Sequence, residues 1–243
     1  MAQLSEHVRA LAATALLLCV CALSASAEGL TQVRFQGAIS HPGGAHVEVE
    51  VSARPSEEDA EVERLAVFVH LAHGTTAADL ASLVAERLRR VRIDVVLSQG
   101  SPEAGSTSLF VERARRVRLR LGHGLAGSVS LCEEAPMSVA LERPGQDAEG
   151  ARITIGLSAY YLHTKQHRHS TLAVDVAADA TTSAISELLA NRGIEAGWGC
   201  ERPTLQSWRV NSLLDGGRVT GLSIELDSAS DWALVVELEG EGG

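Results

Sequence analysis

Large aromatic side chains are scarce in this sequence, with Phe, Trp and Tyr together making up 3% of its 243 residues. A core built on stacked rings is therefore excluded, and each ring that is present stands out as a candidate for a particular task. Long apolar runs are nearly missing too. The one run, Ala10 to Leu23, is about 14 residues, short of the ~20 that span a bilayer. It follows Arg9 and precedes the small-residue sequence Ala25-Ser26-Ala27, a pattern that reads as a secretory signal peptide cleaved near Ala27. The mature chain is expected to be exported, periplasmic or extracellular, with no transmembrane helix. Excess positive charge is also absent. The formal net charge is -10, which argues against nucleic acid as a partner. Cysteine is reduced to Cys132 and Cys200 once the leader is removed. In an oxidising compartment these two either form a disulfide or stay apart as buried thiols. No G-x-S-x-G elbow and no H-E-x-x-H helix occurs, so no standard hydrolase signature is present.

What the chain has in quantity is alternation, and it has it twice. The stretch Leu65 to Leu88, LAVFVHLAHGTTAADLASLVAERL, returns from Leu172 as LAVDVAADATTSAISELLANRG. Upstream, Ile153, Ile155, Leu157, Ser158 and Ala159 retrace Val47, Val49, Val51, Ser52 and Ala53 at a constant offset of 106. Order and spacing held together in this way mark an internal duplication. Val47, Val49 and Val51 share one face of a strand, with Glu48 and Glu50 on the other. Thr76 stands three residues before Asp79, a capping-box spacing, and Leu80, Leu83, Val84 and Leu88 then recur at helical period. In the second copy Ile185, Leu188 and Leu189 make the apolar face, Gly193 is expected to end the helix, and a strand is expected over 194–198. The resulting fold class is α+β, with two tandem related units, each a mainly antiparallel or mixed sheet carrying one amphipathic helix. The segments are a leader 1–27, a lead-in 28–44, a first unit 45–142, a polar linker 143–150, a second unit 151–239 and a flexible tail 240–243.

The order strand, strand, Thr-Thr helix and then several strands resembles the β-α-β-β units of bacterial filament, phage-tail and surface proteins, such as the flagellin hook-IN motif. That resemblance implies a structural or adhesive role and brings no active-site residue with it.

Four groups of residues are candidates for chemistry. Arg113, Arg115, Arg116, Arg118 and Arg120 form a basic stripe in an acidic protein. The stripe can hold an anionic partner; alternatively, Glu48 and Glu50 on a neighbouring strand consume its charge by cross-strand pairing. His163, His167 and His169 are the densest set of metal-competent side chains, and three imidazoles would suit zinc or copper. The segment lacks Cys, Asp or Glu as a further ligand and reads equally as a solvated hairpin. Tyr160, Tyr161, Trp198, Trp208 and Trp232 gather the polar-edged rings in the second unit, where they either stack on sugars or fill the core. His70 and His73 read as ordinary strand-end histidines. The expected function is an exported, non-enzymatic structural or binding module, with an envelope polysaccharide or another surface protein as partner. The alternative is a metal-binding protein or a metal-dependent exported enzyme built on the His cluster.

Overall fold

The computed structural model describes residues 30–54, 63–99, 105–131, 137–142, 149–213, 215–228 and 232–238. The leader, Cys132, residues 143–148 of the linker and the tail lie outside the described residues. The first half contains β1 (Thr31–Gly37), β2 (Ala45–Ala53), β3 (Glu63–Leu71), α1 (Ala77–Arg90), β4 (Val95–Gln99), β5 (Ser106–Val111), β6 (Ala114–Arg120) and β7 (Leu125–Leu131). The second contains β8 (Met137–Glu142), β9 (Ala151–Tyr161), β10 (Gln166–Val176), α2 (Thr182–Glu195), β11 (Trp198–Thr204), β12 (Ser207–Leu213), β13 (Arg218–Ser228) and β14 (Ala233–Leu238). Neither helix is long and apolar enough to cross a membrane.

The strands build two seven-stranded sheets, β10-β9-β13-β7-β1-β5-β4 and β11-β12-β8-β14-β6-β2-β3. All their pairings are antiparallel. The expected α+β class is thereby corrected: the protein is mainly β, with only two helices among the described residues. The expected partition into one sheet per unit is corrected with it, because β9, β10 and β13 complete the sheet of β1, β4, β5 and β7, while β2, β3 and β6 complete the sheet of β8, β11, β12 and β14. The physical reason is coverage. A sheet with one apolar face needs an apolar layer of similar area against it, and one 14-residue helix covers only part of seven strands. A second sheet covers the rest.

The duplication survives in the pairing pattern. Replacing each strand by its counterpart in the other half, β1 by β8 through β7 by β14, turns the order of one sheet into the reversed order of the other. The helices follow the same rule: α1 lies on β4, β5, β1 and β3, and α2 on β11, β12, β8 and β10. One strand has slid. Val49 faces Val67 and Leu119, but Ile153 rather than Ile155 faces Val174 and Leu226. The slip is by two residues, so each side chain keeps its face.

One continuous core results. It takes Val33 and Phe35 from β1, Val47, Val49 and Val51 from β2, Val117 and Leu119 from β6, and Ile153, Ile155 and Leu157 from β9, all buried. Gly127, on the inner face of β7, packs directly against side chains from β6 and the residue after it. A Cβ there would lie 2.5 Å from Leu121 Cδ1 and 3.0 Å from Leu119 Cδ1.

Local chemistry sets the helix ends. Thr76 and Asp79 form the reciprocal capping box of α1, and Thr181 caps α2 through the Ala184 amide alone. The expected stop of the second helix at Gly193 is also corrected. The helix runs on through Ile194 to Glu195, Ala196 is its C-terminal cap, and Gly197 takes the left-handed turn with φ +84°. Gly193 instead lies inside the helix, where a Cβ would meet Cys200 Sγ at 2.4 Å. The expected strand over 194–198 is thus the last helical turn followed by a bend, and the strand begins at Trp198.

Candidate functional site

The arginine stripe lies on β6, with Arg116, Arg118 and Arg120 on the outer face opposite inward Val117 and Leu119. Arg115, the second residue of the strand, is half-buried, and Arg113 stands exposed in the turn before it with φ +51°. Register places Arg120 beside Glu48, Arg118 beside Glu50 and Arg116 beside Ser52. Arg118 pairs with Glu48 at 2.9 Å and also with Glu142; Arg120 reaches Glu48 at 3.4 Å and Arg116 reaches Glu237 at 3.7 Å. On the far side Arg64 pairs with Glu50 at 2.8 Å. Glu50 is 1% exposed and Glu48 7%, so the carboxylates lie beneath the side chains that neutralise them. Charge on this outer face is spent largely within the sheet.

The aromatic set separates into two groups. Trp198, Trp208 and Trp232 are buried in the core, and Trp232 Nε1 donates to the Glu149 carbonyl at 2.8 Å. None of the three offers a ring to a ligand. Tyr160, half-buried, and Tyr161, buried, end β9 at the turn into β10, near the three histidines. His167 is in register with Tyr160, their ring centres 4.8 Å apart. His163 meets Tyr161 edge-on at 5.9 Å, Arg168 lies over the same ring at 4.7 Å, and His169 Nδ1 is 2.9 Å from Ser158 Oγ. Each histidine thus has its own neighbour, and among the described residues no three His, Cys, Asp or Glu side chains converge as a metal site. The Tyr161 hydroxyl donates to both Asp215 carboxylate oxygens at 2.9 Å. Desolvation first, and then the bond to Asp215 and its charge, push the Tyr161 phenol above its ordinary pKa, against an opposing pull from Arg168. It remains a neutral donor. Cys200 is a free thiol whose pKa desolvation raises to about 11.

A surface that the sequence did not announce lies on the outer face of the β10-to-β4 sheet. One row across it runs Ser98, Ser108, Arg34, Ser128, Glu225 and Thr154. The next runs Val96, Phe110, Gln32, Ser130, Ser223, Gly156 and Thr171, apolar at its β4–β5 end. Gln32 Nε2 donates to Ser108 Oγ at 2.8 Å and Arg34 to Ser106 Oγ at 3.0 Å. Small Ala126 and Ser128, between Arg34 and Gln36 on one side and Glu225 on the other, leave a shallow open depression. Tyr160, His167 and His169 stand at the β9–β10 end of this face. Its only sequence signal is serine at alternate positions, Ser106 with Ser108 and Ser128 with Ser130. Such pairs are common in strands, and only register assembles them.

No protein-family model matches the chain, and no curated protein matches it in sequence. Among solved structures it bears a weak likeness to the flagellar cap protein FliD from Helicobacter pylori, with a TM-score of 0.20 and 10% identity over 83% of this chain. The chain spans 58% of the length of that protein. A likeness at this level carries no functional argument.

Proposed function

We propose that this protein is an exported, non-enzymatic binding module of the cell envelope or extracellular space that holds a neutral polysaccharide against the outer face of the β10-to-β4 sheet. The observation that carries the reading is the concentration of hydroxyl and amide side chains, Ser108, Gln32, Ser128, Ser130, Ser223 and Thr154, on β5, β1, β7, β13 and β9, with Arg34 and Glu225 set among them. Serine and threonine both donate and accept, which matches the mixed character of sugar hydroxyls. Their side chains are short and rigidly seated on strands, so ordering them against a ligand costs little entropy. Tyr160 adds a ring face for the apolar side of a sugar at one end. The opposite outer face supports the choice by contrast, since its charges already have partners.

The test is retention of the mature protein on insoluble envelope polysaccharides, followed by calorimetry with soluble fragments of any that bind. Replacing Ser128 and Ser130 by Lys should weaken binding at least tenfold while leaving the β circular dichroism unchanged. Absence of binding to every neutral glycan, or binding indifferent to these replacements, ends the reading.

A further inference from the structure

The two halves agree in strand pairing and differ in side chains, so side chains that the scaffold does not need stand out where the halves disagree. At one end of the first half the loops around His41, His73 and His123 are tied together, with the Ile39 amide donating to the Thr75 carbonyl and the Ser40 amide to the His123 carbonyl. Beside them His46 of β2 and His70 of β3 face each other directly in register. Both are exposed, with ring centres 4.7 Å apart and planes at 60°. In the second half the repeat places Arg152 at the position of His46 and Ala177 at that of His70, so packing alone does not call for two imidazoles there.

We propose that His46 and His70 form a two-imidazole site for a divalent transition ion, zinc or copper(II). Two imidazoles bound to one ion at about 2.0–2.1 Å have ring centres about 5 Å apart, close to the spacing found here. Opposed residues of an antiparallel pair hold that spacing without any turn having to close. Gly44 leaves room along the His70 ring, where a Cβ would come within 2.7 Å of Nε2. Among the described residues no third His, Cys, Asp or Glu joins the pair. Glu48, the next outward residue on β2, is engaged by Arg118 at 2.9 Å and Arg120 at 3.4 Å. Water or a donor from another molecule would therefore fill the remaining positions, two on a tetrahedral ion, one more than in a zinc site with three protein ligands.

Untagged full-length protein titrated with zinc chloride, and separately with copper(II) chloride, should take up one ion per chain by calorimetry. His46→Gln and His70→Gln should each weaken uptake tenfold or more, and the double replacement of His163 and His167 by Gln should leave it unchanged. Independently of any variant, substoichiometric copper(II) should broaden the ring proton resonances of His46 and His70 before those of other histidines. No uptake, uptake that survives loss of either His46 or His70, or first broadening at the β9–β10 turn would overturn the assignment.

Discussion

Thr76 and Asp79 show how much one polar pair does at a helix start. The Asp79 amide donates to Thr76 Oγ1, and the Thr76 amide and hydroxyl both donate to Asp79 Oδ2, at 2.9 and 2.7 Å. These bonds, the hydroxyl contribution first, hold the Asp79 carboxyl below its ordinary pKa. A depressed carboxylate pKa stabilises the fold at neutral pH, and that contribution is lost as pH falls below the ordinary Asp value towards the depressed one. Thr76→Ala is expected to cost about 1 kcal/mol in urea unfolding at pH 7, with the difference from wild type shrinking in acid. Thr181→Ala, which removes a cap with no acidic partner, should cost about as much at neutral pH without that shrinkage. Cys200 titrates in the opposite region. Its thiol pKa is raised from 9.0 to about 11, so stability should be unaffected near neutrality and fall as pH rises across that interval. Alkylation of Cys200 by iodoacetamide at pH 8 should run roughly a hundredfold slower in the native protein than in the unfolded chain, since only the thiolate reacts. Equal rates would show an open thiol.

Strand β6 carries the next level of organisation. Its arginines sit between β2 on one side and β14 on the other, and Arg118 bridges Glu48 to Glu142 across the sheet. Replacing Arg118 by Gln leaves Glu48, 7% exposed, with less compensation, and should cost about 1–3 kcal/mol, discounted from fully buried pairs because Arg118 itself reaches solvent. The triple replacement of Arg116, Arg118 and Arg120 by Gln should lower the urea midpoint further while leaving glycan retention intact. A salt-dependent loss of binding with unchanged stability would show instead that the stripe serves an outside anion. On β7, Gly127→Val should destabilise by about 1–3 kcal/mol through overpacking against Leu119 and Leu121.

At the scale of the molecule, the exchange of strands between halves makes neither half sufficient. β7 pairs with β13, and β6 with β14, so a chain cut between Leu131 and Met137 leaves two incomplete sheets on each fragment. Each fragment alone should lack a cooperative unfolding transition, and refolding the two together should restore one. A cooperative transition in either isolated fragment would mean that a half can close its own core.

Much of this organisation is legible in the sequence. The 106-residue offset, the capping box at Thr76 and Asp79, and the inward faces of β2 and β9 are local patterns, set by backbone geometry and by solvent avoidance over a few residues. The length of α2 is not legible locally because Gly193 has the pattern of a stop signal; its small size instead serves contact with Cys200 Sγ, a partner seven positions away whose approach no local pattern gives. The hydroxyl face and the His46–His70 pair were not visible either. Their members come from strands far apart in sequence, and a Ser-x-Ser or a single His has no direction until register supplies one. By itself, then, the sequence determined the duplication, the buried faces and the helix starts, since these follow from short-range periodicity and hydrogen bonding. Tertiary structure alone decided that the halves share their sheets and which polar side chains meet, because coverage of a seven-stranded apolar face is a demand of the whole molecule that no segment can meet from its own residues.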